Sequence, residues 1–409
     1  MSNVFDVLQE RGFIAQTSNE EAIRKLLGTE QITFYTGFDP TADCLTAGHF
    51  VPIMAMAHLQ RAGHRPIVLV GGGTGVVGDP TDRSDLRRML SSEEICYNCN
   101  CFQTQLAKFL DFSNGRALMV NNADWLMELK YVPFIRDYGV HFSVNKMLTA
   151  DAYRTRFERG LTFFEFNYML MQSYDFLELY RRYNCKLQMG GNDQWSNILA
   201  GADLIRRVEN AEAHCMTYVL LTTSEGKKMG KSQKGAVWLD RERTTPYEFF
   251  QYWRNTDDAD VIKLLKILTF LPMPEINEMA KWQGSELNKA KEILAFELTK
   301  IVHSEEDAVQ ARNAARGLFG GGAPDGSAPE VEISAAEWGD GMSIIDVLSK
   351  TGVAVSRGDG RRLVAQGAIR VNDKKVENCD QIVELRDRSA LIQKGKKVFI
   401  RIKVTDITL

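Results

Sequence analysis

The sequence predicts an α/β protein. A parallel sheet wrapped by helices comes first, then an all-helical stretch, then a small basic α/β unit. Three observations carry this expectation. Short β-rich apolar runs alternate with longer helical patterns over the first half of the chain. A Gly- and Pro-rich stretch at 319–329 breaks the pattern. Charge is also unevenly divided: from Met342 onward there are 14 Lys/Arg against 8 Asp/Glu, while the whole chain carries −3. An acidic body with a basic tail suggests local contact with an anionic polymer.

The elements follow in order. Residues 32–38, 66–71, 117–121, 186–190 and 217–222 read as buried strands, with amphipathic segments such as 48–62 between them. In such sheets ligands bind beyond the carboxyl ends of the strands. From 245 to 318 the pattern is helical throughout. The expected division is 1–222, 223–318, a flexible linker at 319–341, and a compact unit at 342–409. No internal repeat is present.

Composition narrows the class. With 409 residues and 44% hydrophobic content, the chain can bury a large core in two or three domains. Its seven cysteines are odd in number and scattered, which argues against a disulfide framework. Residues 1–21 resemble neither a signal peptide nor a transit peptide, and no apolar run reaches the ~18 residues of a membrane span. A cytoplasmic protein without a membrane partner is the expectation. The run Cys96-Tyr97-Asn98-Cys99-Asn100-Cys101 lacks the second ligand pair of a zinc site, so no metal centre is expected and the thiols are read as reduced, on a helix.

Two stretches suit a nucleotide. Tyr35-Thr36-Gly37-Phe38-Asp39-Pro40-Thr41-Ala42-Asp43 follows the first predicted strand, and Thr46-Ala47-Gly48-His49 then opens a helix. A helix N-terminus offers free N–H groups to phosphate, and Gly48 lets a flat base approach the backbone. Taken alone, the same residues suit a βα turn that merely needs glycine. Lys227-Lys228-Met229-Gly230-Lys231-Ser232 lies in a polar loop after the last strand and could grip a triphosphate. Taken alone, such a Lys-rich stretch is more often a solvated basic loop. A third pattern is Tyr168, Gln172 and Asp175, spaced i, i+4, i+7 on one face of a helix predicted over 163–183. A hydroxyl, an amide and a carboxylate on one face are not an ordinary core stripe.

Together the glycine turn and the lysine loop resemble the HIGH and KMSKS signatures of class I aminoacyl-tRNA synthetases. Gly190-Gly191-Asn192-Asp193-Gln194-Trp195 resembles a block of the tyrosine branch. The resemblance runs along essentially the whole chain. It implies a Rossmann-type catalytic domain, an α-helical anticodon-side domain beginning at the lysine loop, and a small α/β RNA-binding domain. It implies that Tyr35 and Asp175 bind the phenolic hydroxyl of tyrosine, that Tyr168, Gln172 and Asp79 hold its ammonium, and that Gln194 lies near its carboxylate. For ATP it implies Gly37, Asp39, Thr41, Gly48, His49, Gly191, Asp193 and Lys231, with Thr41, Lys228, Lys231, Arg83 and Arg87 on the phosphates and Thr36 at a ribose position. Magnesium would accompany ATP. One departure stands out: Thr46 replaces the first histidine of HIGH. It can still donate a hydrogen bond, and a working enzyme is expected.

In the tail, Ser356-Arg357-Gly358, Arg361-Arg362-Leu363-Val364 and the stretch 367–372 resemble a small RNA-binding module. Arg357, Arg361, Arg362, Lys374 and Lys375 would contact phosphates, which position without reading sequence. Lys394, Lys396 and Lys397 add a basic hairpin tip. The resemblance implies a homodimer with its two-fold contact near 121–142 and Phe163, and tRNA(Tyr) as partner. The alternatives are tryptophan–tRNA ligation, another nucleotidylyltransferase, and a non-catalytic RNA-binding relative.

Overall fold

The structure, a computed structural model, describes residues 3–79, 81, 91–232, 235–319, 330–372, 374–395 and 398–405. Arg83, Arg87, Lys396 and Lys397 lie outside the described residues, as does the side chain of Lys231. The chain forms two compact units, Met1–Ala308 and Val309–Leu409.

Six strands make the sheet of the first unit: β1 (Ile14–Thr17), β2 (Thr33–Phe38), β3 (Arg65–Val70), β4 (Leu118–Asn121), β5 (Cys185–Gly191) and β6 (His214–Tyr218). Their spatial order is β1-β6-β5-β2-β3-β4. The strands from β6 to β4 are parallel, and only β1 runs antiparallel, against β6. The chain lays down β2, β3 and β4 in one direction, then returns to add β5 and β6 on the other side of β2. Such a reversal opens a crevice beyond the carboxyl ends of β2 and β5. Ile67, Val68, Leu69 and Val70 of β3 are all buried, as a strand covered on both faces requires.

Some expectations need correction. The last parallel strand covers His214–Tyr218 rather than 217–222, because residues 219–221 leave the sheet to form cleft wall. The edge strand β1 was not anticipated; its four residues, Ile-Ala-Gln-Thr, carry little apolar signal. The segment expected to be amphipathic over 48–62 is a 3-10 turn, Ala47–His49, followed by the helix Phe50–Arg61. That helix is buried from Phe50 to Gln60 except at Pro52. The sheet covers one side, and the helices Val4–Arg11 and Asp258–Leu268 cover the other.

Helices Pro246–Arg254, Asp258–Leu268, Met273–Met279, Leu287–Val302 and Glu305–Phe319 account for the helical stretch. The expected boundary at 222/223 does not divide the structure, because the unit Met1–Ala308 holds both sheet and helices. One reason is Arg11, which is buried. Its guanidinium donates to the carbonyls of Lys266 (2.9 Å), Thr269 (2.9 Å) and Leu271 (2.6 Å), the exposed carbonyl end of a helix.

Two short strands, β7 (Lys231–Ser232) and β8 (Gly235–Ala236), pair antiparallel. The second unit holds a sheet of β9 (Glu330–Ser334), β10 (Ile369–Val371), β11 (Lys374–Lys375), β12 (Ser389–Lys394) and β13 (Val398–Thr405), in the order β11-β10-β12-β13-β9. Helices Ile344–Lys350 and Arg357–Ala365 pack on it over a core including Ile344, Leu348, Ile369 and Ile402. The linker expected at 319–341 is therefore too long. Residues 330–334 pair parallel with β13 and belong to this sheet.

Cys96, Cys99 and Cys101 lie on the helix Ser92–Leu106 as free thiols. Among the described residues, no helix is long and apolar enough to cross a membrane.

Arg11→Ala should lower unfolding stability by roughly 2–4 kcal/mol, since three carbonyls lose a charged donor. Urea unfolding measures it; a change below about 0.5 kcal/mol would contradict this role for Arg11.

Candidate active site

A cavity of about 400 Å³ opens at the switch point. Phe38 at the end of β2, Gly190 and Gly191 at the end of β5, and Val219–Leu221 beyond β6 form its walls. The structure gathers Tyr35, Gly37, Asp39, Thr41, Gly48, His49, Asp79, Tyr168, Gln172, Asp175, Gly191, Asp193 and Gln194 around this one cavity. Thr36 is buried and does not line it.

At the closed end, Asp175 is buried. Its carboxylate accepts from Asn122 Nδ2 at 2.9 Å and Trp125 Nε1 at 2.7 Å. Asn122 is itself fixed: it donates to Thr74 Oγ1 (2.9 Å) and accepts from the Gly73 amide (2.7 Å). Burial pushes the Asp175 carboxyl from 3.8 up to about 7, against the two donors, which pull it down. The Tyr35 hydroxyl, also buried, has no hydrogen-bond partner among the described residues. Burial, and then the charge of Asp175, hold it well above the usual phenol range. A buried polar atom without a partner is costly and rare, and at the wall of a cavity it marks where a ligand completes the bonding. Gln172 Oε1 and Gln188 Oε1 are buried without partners in the same cavity.

The rim is bridged from both sides. Gln194 Nε2 donates to Asp79 Oδ2 at 2.6 Å, and Asp79 Oδ1 accepts from the Thr81 amide at 2.9 Å. Asn197 Nδ2 supports Gln194 Oε1 at 3.2 Å. The loop after β3 is thereby joined to the loop after β5.

The open end is bare backbone. A Cβ at Gly37 would meet nothing within 4 Å, and one at Gly48 would meet only Thr46 Oγ1, at 3.5 Å. The fold does not demand glycine there; a flat ligand lying on the backbone would. The Thr46 amide donates to His49 Nδ1 at 3.0 Å, with Thr46 Oγ1 at 3.1 Å from the same nitrogen. Nδ1 therefore accepts, and in the neutral ring Nε2 carries the proton. Burial lowers the imidazole to about 4, so it stays neutral. The threonine that replaces the first HIGH histidine thus turns its hydroxyl to His49 and does not line the cavity.

Lys228 does not line the cavity either; it is exposed, and its backbone bridges Thr222. Lys227 pairs with Glu225 at 2.7 Å. The loop is nonetheless fastened at its base. The Met229 amide donates to Leu221 O, the Gly230 amide to Tyr252 Oη, and Val237 N to Gly230 O, all at 2.8–2.9 Å. Gly230 has φ +94°, and a Cβ there would lie 3.1 Å from the Gly48 amide nitrogen. The lysine loop and the glycine turn are thus in direct backbone contact.

Sequence reasoning assigned no role to Asn122, Trp125, Thr74 or Gln188. The signal available for the first two was their position just past the end of β4, where ligand-facing residues of a parallel sheet collect. Among the described residues, no group of three or more His, Cys, Asp or Glu could hold a metal ion.

In the second unit, Arg357, Arg361, Arg362, Lys374 and Lys375 are all exposed. Ser356 caps the helix Arg357–Ala365 by accepting from the Asp359 amide. Arg357 pairs with Asp346 at 2.8 Å and Arg362 with Asp359 at 2.5 Å, so part of the expected basic face is internally neutralised.

The switch-point cleft thus joins a polar pocket at one end to a floor of bare glycine backbone at the other. The family model described as tRNA synthetases class I (W and Y) matches residues 27–320, and the chain belongs to that family. A second model, the tyrosine–tRNA ligase SYY-like C-terminal domain, matches residues 326–402. The tyrosine–tRNA ligase of Acetivibrio thermocellus is 58% identical over 99% of this chain and 100% of its own. That of Caldanaerobacter subterraneus subsp. tengcongensis is 57% identical over the same shares. Among solved structures, a C-terminally truncated Aspergillus nidulans mitochondrial tyrosyl-tRNA synthetase is similar at TM-score 0.70 and 28% identity, covering 78% of this chain and 95% of that one.

If the ionised Asp175 accepts the substrate phenol, kcat/KM for tyrosine should fall as pH drops through about 7. The fall should be about tenfold between pH 8 and pH 6, because protonation removes the acceptor. A flat tyrosine profile over that range would contradict the role.

Proposed function

We propose that this chain activates L-tyrosine with ATP to tyrosyl-adenylate and pyrophosphate, and then transfers tyrosine to the 3′ end of tRNA(Tyr). The observation that carries the reading is the buried, partnerless Tyr35 hydroxyl in the same pocket as the clamped Asp175 carboxylate. A phenol can donate to Asp175 and share a hydrogen bond with Tyr35. Phenylalanine leaves the Tyr35 hydroxyl unmet and gives Asp175 no further donor, and an indole presents its N–H elsewhere. The tyrosine-named relatives support the same choice within a family that covers both amino acids.

We assign Tyr168, Gln172 and Asp79 to the ammonium group and Gln194 to the neighbourhood of the carboxylate. Gly37, Asp39, Gly48, His49, Gly191 and Asp193 would receive the nucleoside, with Thr41, Lys228, Lys231, Arg83 and Arg87 on the phosphates. In the first step a carboxylate oxygen of tyrosine attacks the α-phosphorus, and the bond to pyrophosphate breaks. In the second a ribose hydroxyl of tRNA attacks the aminoacyl carbonyl, and AMP leaves. The carboxylate is already a nucleophile, so positioning and charge stabilisation are what the protein supplies. Magnesium fits this site only as an ion brought by the ATP phosphates, since the described residues offer no cage for it.

We further propose a homodimer. Exposed Met127, Tyr131, Val132, Val140 and Phe163, which lie in or next to the segments expected at the two-fold contact, support it. The exposed basic residues of the second unit support contact with tRNA. Seven free cysteines fit a cytoplasmic setting.

Pyrophosphate exchange over a panel of amino acids should respond to tyrosine alone, and removal of residues 330–409 should spare exchange while abolishing tRNA charging. Exchange driven by tryptophan, or none at all, would overturn the substrate; equal loss of both activities would overturn the division of labour.

A further inference from the structure

The helix that carries the tyrosine-facing side chains, Tyr168–Tyr183, begins without a cap of its own. Its N-cap residue Asn167 turns its side chain back to donate to Phe163 O at 2.6 Å. The first amides of a helix still need acceptors. One is met from outside: the Met169 amide donates to Tyr153 Oη at 3.2 Å. The same hydroxyl donates to Phe166 O at 2.8 Å. It therefore spans the joint between the short helix Phe163–Phe166 and the long one. The Tyr153 ring is fully buried and packs on Phe166 at 5.2 Å between centroids.

A second clamp holds the approach to this joint. Arg156, one turn from Tyr153 on the helix Asp151–Arg159, makes a bidentate, buried pair with Glu165 at 2.8 and 3.0 Å. Glu165 also accepts from the Thr162 amide and hydroxyl. Neither Tyr153 nor Arg156 lines the cavity, while Tyr168 and Gln172 do.

We infer that Tyr153 is a positioning residue for amino-acid binding: its hydroxyl sets where the helix bearing Tyr168 and Gln172 begins, and hence where these two meet the substrate ammonium. The Arg156–Glu165 pair braces the same joint. The inference rests on the assignment of Gln172 to tyrosine. The nucleotide end of the cleft is built on other elements, so the effect is confined to one substrate.

The test is pyrophosphate exchange with the full chain. Tyr153→Phe keeps the ring and removes both hydrogen bonds. It should raise KM for tyrosine about five- to tenfold and leave KM for ATP within about twofold. The double variant Tyr153→Phe/Gln172→Ala should raise KM for tyrosine by clearly less than the product of the two single effects, since Tyr153 acts in part through Gln172. An unchanged KM for tyrosine, an equal rise for ATP, or effects that multiply would overturn the inference. If Gln172→Ala alone leaves tyrosine KM unchanged, the site assignment falls and the inference with it. Should Tyr153→Phe not fold, Glu165→Gln is read by the same two KM values.

Discussion

The clamp on the Asp175 carboxylate is the constraint on which the rest depends. A carboxylate raised to about 7 inside a folded protein is an unfavourable charge at neutral pH. A shift of this size costs on the order of 4 kcal/mol of stability above pH 7, and the cost is relieved as pH falls toward 4. Without the Asn122 and Trp125 bonds, already counted in this figure, the cost would be larger, and these bonds fix where the oxygens point. Four elements must meet for this to happen. β4 delivers Asn122 and the turn holding Trp125, the long helix delivers Asp175, β2 delivers Tyr35, and the Gly73–Thr74 turn anchors Asn122. The parallel order of the sheet brings them to one end.

The open end of the cleft is organised differently. Its floor is backbone, and the lysine loop is fastened beside it. The hydrogen bonds of Met229, Gly230 and Val237 join that loop to the wall of the cleft, and the contact of Gly230 with Gly48 joins it to the glycine turn. Thr46 fits this division. Its hydroxyl and amide hold His49 in one tautomer, and its side chain does not line the cavity.

Much of this was legible in the sequence. β2, β3, β4 and β5 show as short apolar runs because strands covered on both faces must be apolar. The polar residues that the long helix gives to the cavity show because a hydroxyl, an amide and a carboxylate at 168, 172 and 175 share a helical face, and nothing in a plain core calls for that. What stayed hidden is long-range. Asn122 and Trp125 act only through Asp175, fifty residues or more away. β1 and β9 have too little apolar pattern to announce themselves and exist because a neighbouring strand offers an edge. Nor does sequence show that Arg11 binds carbonyls some 255 residues later, which ties the N-terminal helix to the helical stretch.

The most direct test of the account compares tyrosine with phenylalanine in pyrophosphate exchange, for the natural chain and for Tyr35→Phe. Removing the buried hydroxyl should lower the ratio of kcat/KM for tyrosine over phenylalanine by about tenfold, because phenylalanine then leaves one fewer buried polar group unmet. A ratio unchanged by Tyr35→Phe would contradict the claim that this pocket selects its substrate by completing a buried hydrogen-bond network.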